Sequence, residues 1–240
     1  MFPLHPIPVP PNTATPGSHG AYFTHTTVLT WADTQLGELA SLAIDHFGNV
    51  RVIQSESADE LALILTLDVQ GENHDALANQ YFNSVAKVST LEGATQSITT
   101  VASTCTETEL ADGSLQITGV CIRDLVIALP RTRSLPLSVA FQGSFSASSV
   151  ELSRLNLSVR AASRSELTDV KGQVFVRGGA ADAVVIANRM TGGFSADLSQ
   201  ISEMKLSRIS GSVSLSLADP AGSNVSLDDS VIQSFPFSRP

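Results

Sequence analysis

The chain has 240 residues, of which 42% are hydrophobic and only 15% charged, with a net charge of −9; this balance excludes disorder for its body. Charge is unevenly divided: residues 31–124 carry fourteen acidic side chains against Arg51, Lys87 and Arg123, whereas residues 125–240 carry nine against eleven basic ones. With no clustered Lys and Arg, nucleic acid is excluded as a partner and adsorption to anionic lipid is disfavoured. The longest apolar run, Leu61 to Leu67, falls far short of the roughly 20 residues of a transmembrane helix.

Residues 1–29 read as a flexible tail or linker. Pro3, Pro6, Pro8, Pro10, Pro11 and Pro16 favour extended polyproline structure. The segment lacks the basic start and apolar stretch of a secretory signal. Residues 30–130 then read as a strand-rich half. Leu39 to Asp45, Asn49 to Ile53 and Leu61 to Val69 are the first strands, with Leu61, Leu63, Leu65, Leu67 and Val69 alternating onto one face. A hairpin or coil turn is expected around His46-Phe47-Gly48-Asn49. Asn73 to Val85 predicts the one helix, with Leu77, Tyr81 and Val85 as its apolar stripe and Asn73 or Asp75 near the N-cap. Strands follow at Ser97 to Ser103, Leu115 to Ile122 and Leu125 to Leu129. Pro130 to Pro136 marks a border with the second half, residues 131–240, although residues 30–240 could also form one continuous domain.

Cys105 and Cys121 flank the turn signal Asp112-Gly113. With a three-residue loop, Asp112 to Ser114, the two cysteines fall directly opposite one another, within disulfide reach. A two-residue loop sets Cys105 opposite Val120 instead, leaving two small buried thiols. A disulfide would imply an oxidising compartment.

The second half carries a repeat. Leu167, Val170, Gly172, Val174; Ala187, Met190, Gly192, Phe194; and Leu206, Ile209, Gly211, Val213 share the spacing h-x-x-h-x-G-x-h. Two looser copies are Leu152, Leu155, Leu157, Val159 and Ser138, Phe141, Gly143, Phe145. Starts at 138, 152, 167, 187 and 206 give steps of 14 to 20 residues, near the size of one coil in a stacked β-structure. The column Ala147, Ala161, Val176, Ala196, Leu215 is apolar and reads as inward. Ser144, Ser158, Gln173 and Ser195 read as outward, with Phe175 the one apolar intruder. The glycine is expected on the inner face, letting coils pack closely or the strand kink, so that Gly192→Val or Gly211→Val would overpack the interior. The fold expected is therefore all-β: a single-stranded β-helix or β-roll-like solenoid of stacked coils, with one short helix in the N-terminal half, which caps the stack.

The unit "LAIDHFGNVRVIQS", the helix "GENHDALANQYF", "DLVIALP" before a turn, and the glycine-marked "DVKGQVFV" and "RISGSVSLSL" resemble, over residues 30–235, the putative-adhesin family of repeat-built β-proteins. Members occur in bacterial envelope proteins and in some eukaryotes. The resemblance implies a β-helix or β-roll with a surface or scaffold role, and it carries no catalytic residue.

No HExxH, CxxC, GxSxG, P-loop or dinucleotide fingerprint is present, so no enzyme, cofactor or catalytic residue is expected. His5, His19, His25, His46 and His74 lack metal-ligand spacing, and no metal site is expected. Asp228-Asp229 reads as a solvated pair. The sequons at Asn156 and Asn224 are expected by chance in so Ser/Thr-rich a chain. One constellation stands out: the repeat places Arg154, Asp169, Arg189 and Arg208 in one outward column, either salt-bridged and solvated or a stripe for an anionic partner. The reading is a non-enzymatic adhesin-like or scaffold solenoid working through protein contacts or self-association. The alternative is a β-helix that binds or acts on an anionic glycan through its Arg column. Location is read as extracellular if the chain is a fragment or the disulfide forms, and as cytoplasmic otherwise.

Overall fold

The computed structural model describes residues 13–16, 22–32, 39–55, 60–70, 73–85, 88–91, 95–99, 106–109, 111 and 115–228. They form an all-β solenoid of about five stacked turns with one short helix. The first half contains β1 (Thr13–Pro16), β2 (Tyr22–Ala32), β3 (Leu39–Phe47), β4 (Asn49–Gln54), β5 (Glu60–Gln70), α1 (His74–Val85), β6 (Val88–Leu91), β7 (Thr95–Thr99), β8 (Thr106–Glu109), β9 (Leu115–Thr118) and β10 (Val120–Leu129). The second contains β11 (Pro136–Gln142), β12 (Ser144–Val159), β13 (Arg164–Gly178), β14 (Val184–Thr191), β15 (Phe194–Leu198), β16 (Glu203–Ser210), β17 (Val213–Leu217) and β18 (Val225–Leu227).

Two walls of parallel strands enclose the core. The first wall stacks β10, β4, the start of β12, the start of β13, β14, β16 and β18. The second stacks β7, β3, β11, the end of β12, the end of β13, β15 and β17. Because β12 and β13 turn a corner and belong to both walls, sixteen strands form one sheet. Alternation decides what faces inward: Leu155, Leu157 and Val159 are buried on one coil, and Phe194, Ala196 and Leu198 on another, while the residues between them are not. Across the corner at Gly143, Phe141 and Phe145 pack with ring centroids 5.5 Å apart, a tilted aromatic contact worth about 0.5–1.5 kcal/mol beyond its area.

At one end the parallel stack gives way to antiparallel strands. β10 pairs parallel with β4 on one side and antiparallel with β5 on the other, and β5 is followed by β2 and β1. The five alternating apolar residues of β5, Leu61 to Val69, are all buried, as their spacing predicts. α1 closes over this cap, but its buried residues are Ala78 and Phe82, with Tyr81 at the margin and Leu77 exposed. The expected stripe through Leu77 is thus rotated by one position, because a Phe at 82 offers more apolar area than a Leu at 77. Val85's side chain lies outside the described set.

Three further expectations are corrected. The tail does not extend to residue 29: Tyr22–Ala32 is a full strand paired along its length with β5. Its inward row is His25, Thr27, Leu29 and Trp31, two polar residues that hide the apolar alternation. No border falls at 130, since β3 and β4 are already coil strands beside β11 and β12, and Gly48 turns the corner between them. The looser repeat copies were also misplaced. Ser144, Arg164, Val184 and Glu203 are lateral neighbours, steps of 20, 20 and 19 residues, so the coil length is uniform. The copy at Ser138 spans the opposite corner, and in the copy at Leu152 one extra residue lies between Glu151 and Arg154, where the ladder shifts register. Ala161, assigned inward, is an exposed turn residue.

The glycines of the repeat do not fill the interior. They turn the corner with positive φ, 129° at Gly172 and Gly192 and 143° at Gly211. A Cβ at Gly192 would stand 2.2 Å from the Gly172 carbonyl oxygen, and one at Gly211 would stand 2.0 Å from that of Gly192. The constraint is backbone against backbone between coils, which cannot relax by a rotamer change. Gly192→Ala should therefore destabilise the protein by at least about 2 kcal/mol. Gly193→Ala, whose Cβ would meet the Ser212 hydroxyl at 3.2 Å and the Ser212 carbonyl oxygen at 3.8 Å, should stay within about 1 kcal/mol of wild type. Chemical denaturation of both variants tests this, and equal losses would show that coil stacking at the corner is not what requires the glycine.

Candidate functional site

The corner between the walls holds part of the expected column. Ser149, Asp169, Arg189 and Arg208 occupy equivalent places, each between residues paired across coils, and each has φ between 52° and 55°. Arg154 is not among them. It pairs beside Gln173 and Pro136 in the second wall, displaced by the extra residue before it, and Ser149 takes the place assigned to it. Asp169 and Arg189 meet in a two-pronged pair, with Nε and one terminal nitrogen of Arg189 donating at 2.6 Å to the two carboxylate oxygens. These hydrogen bonds hold the Asp169 carboxyl below its usual range and raise the Arg189 guanidinium. Both side chains are more than a third exposed, so solvent screens the pair.

Arg154 belongs to a second constellation. Its guanidinium carbon sits 4.2 Å from the centre of the Phe175 ring, within cation–π range. Its Nε donates to Asn156 Oδ1 at 2.9 Å, and Asn156 Nδ2 donates to Ser138 Oγ at 2.9 Å. These residues, with Ser158, Arg177 and Asp45, line a groove of about 420 Å³ across the outer face of the second wall. Asp45 is paired with Arg160 at 3.1 Å. No local pattern joins Arg154 to Phe175, because one depends on a bulge and the other on the register it sets.

The cap carries a third cluster. His25, fully buried on β2, points Nε2 at Nδ1 of His74, the first residue of α1, at 3.0 Å. Asp75 Oδ1 lies 3.5 Å from the same His74 nitrogen and 3.9 Å from His25 Nδ1. Phe23 stacks on the His74 ring at 3.8 Å. Burial, and then the neighbouring His74, push the His25 imidazole below its usual range. Close by, Asp68 is buried but satisfied, accepting hydrogen bonds from Thr24 Oγ1 at 2.7 Å and Arg123 Nε at 2.5 Å. His25 and His74 stand 49 positions apart, so no local spacing announces that they meet. Cys121 is buried at the start of β10 and disulfide-bonded. Cys105 lies outside the described residues, so its pairing with Cys121 stays an expectation, but the register argued for it is corrected: Leu115 faces Glu109, so neither the three-residue nor the two-residue loop forms.

No helix among the described residues is long and apolar enough to cross a membrane. No protein-family model, curated protein or solved structure matches the chain. What the molecule does must therefore be argued from these clusters.

Asp169 supplies a pH test with a defined sign. A carboxyl with a depressed folded-state value contributes stability above its unfolded value, near 3.8, and that contribution is lost as pH falls through the folded value. An NMR titration should find Asp169 ionising below 3.8 in wild type and returning to it in Arg189→Ser. An unchanged titration in that variant would remove Arg189 as the cause. The disulfide is tested by alkylation without reductant. Protein from an oxidising source should show no modified thiol until reduced, and two modified thiols in the native protein would refute the Cys105–Cys121 bond.

Proposed function

We propose that the chain is a non-enzymatic, adhesin-like scaffold module that works through protein contacts on the outer face of its second wall. The observation that carries this reading is the groove: an aromatic ring, Phe175, overlaid by Arg154 and flanked by Arg177, Asn156 and Ser138. Arginine and aromatic side chains are the residues enriched at the energetic centres of protein interfaces, where a planar guanidinium and a ring give large contact area at modest entropic cost. The same wall carries Ser158 in the groove and Ser195, Ser214 and Ser216 on the following coils, all short polar side chains outside the core.

The partner surface that fits is acidic, and the chain carries one itself. Residues 31–124 are net −11 against +2 for residues 125–240, so head-to-tail self-association would set unlike halves together. An anionic glycan is the second reading, favoured by the same guanidinium groups beside the Asn156 and Ser138 hydrogen-bonding groups.

Sedimentation velocity at low and high salt, on wild type and on Arg154→Ser/Arg177→Ser, tests the reading. Wild type should associate at low salt and dissociate at high salt, and the double variant should remain monomeric. Wild type that stays monomeric but binds uronic or sulfated glycans in an array, with loss in the double variant, would replace protein contact by glycan binding. Association unchanged in the double variant would remove the groove from the function, and turnover of any arrayed polysaccharide would reject a non-enzymatic role.

A further inference from the structure

We infer that His25, His74 and Asp75 form a binding site for a divalent transition-metal ion of the zinc type, one that ties α1 to β2 at the cap of the solenoid. The three ligand atoms lie within 4.8 Å of one another. Around an ion with nitrogen ligands at about 2.0–2.1 Å in tetrahedral array, ligand atoms stand roughly 3.3 Å apart. The His25–His74 separation of 3.0 Å and the His74–Asp75 separation of 3.5 Å bracket that value, and the third separation stays within 4.8 Å, so closing the arrangement falls to Asp75. The movement falls on the first turn of α1 and on the exposed Asp75 side chain, where it meets least resistance.

The chemistry of the three donors selects the ion. Two imidazole nitrogens and one carboxylate oxygen suit zinc and its first-row neighbours, whereas calcium and magnesium prefer all-oxygen sets. Two imidazole nitrogens pointed at each other share at most one proton, whereas an ion accepts a lone pair from each of them and from the Asp75 carboxylate. The surroundings are those of a supported site: Phe23 stacked on the His74 ring fixes its plane, and the rigid β2–β5 pairing fixes His25. Asp68, held by Arg123 and Thr24 on the neighbouring strand, adds negative potential without competing as a ligand. The site rests on neither the groove nor the reading drawn from it.

Chelator-treated protein titrated with zinc chloride, followed by calorimetry and by thermal unfolding, tests the inference. Wild type should bind one zinc ion per chain at micromolar affinity or tighter, with a higher Tm in its presence. His74→Gln should weaken binding at least tenfold and abolish the Tm shift. Asp75→Asn, on a side chain 71% exposed, should weaken binding several-fold. Cobalt(II) should give a visible absorption band in wild type that His74→Gln loses. Absence of saturable binding, or binding equally strong in both variants and hence located at other histidines, would overturn the site.

Discussion

The structure depends on one interaction: the backbone ladder that joins each coil to the next. Parallel pairing transmits register without loss from Ser144 to Arg164, Val184 and Glu203, so every coil must spend nearly the same number of residues on its circuit. The corner is the hardest part, because the chain must change walls while its amides still reach the neighbouring coil. Gly192 N donates to Ser210 O at 2.8 Å, and Phe194 N to Ser212 O at 2.8 Å. Holding those bonds through a sharp turn requires positive φ, supplied first by Asp169, Arg189 or Arg208 and then by Gly172, Gly192 or Gly211, whereas the coil of Ser149 makes the corner with no glycine. A side chain on the second residue would strike the carbonyl of the coil before it. The glycine repeat is therefore a signature of stacking rather than of core filling.

A ladder of this kind has no natural end, and an open strand edge invites further pairing. The first half meets this by changing strand direction. β10 accepts the parallel stack on one edge and antiparallel β5 on the other, and β2 and β1 continue outward. β6 does the same for the second wall through β7. At the far end β17 and β18 are five and three residues long, too short to offer much edge. α1 then covers the cap with Ala78 and Phe82, and it is this docking that brings His74 over His25.

What was legible in the sequence follows from how locally each feature is encoded. The alternation of Leu61 to Val69 and the helix at 73–85 declare themselves within a dozen residues, and both stand where they were read. The three full repeat copies align because β13, β14 and β16 follow one another with little insertion. β2 was lost because its inward row contains His25 and Thr27, polar residues admitted only because the cap supplies partners from elsewhere in the chain. Arg154 was misplaced because a single inserted residue is invisible to a pattern that tolerates variable spacing, yet it moves a side chain from the corner to a wall. The histidine pair was out of reach altogether, since only tertiary docking joins positions 25 and 74.

That misplacement carries the wider point. Inward columns are fixed by packing and corners by backbone geometry, so a regular solenoid leaves only its outward columns free to vary, and a perfectly regular one would present nearly uniform rows of Ser. Recognition needs a departure from uniformity. The extra residue between Glu151 and Arg154 provides one: it carries the guanidinium onto the wall, where the next coil offers Phe175 beneath it. The groove arises where the repeat is broken, so the irregular coil, rather than the glycine-marked copies that reveal the fold, is where a partner would find something to distinguish this chain from any other stack of coils.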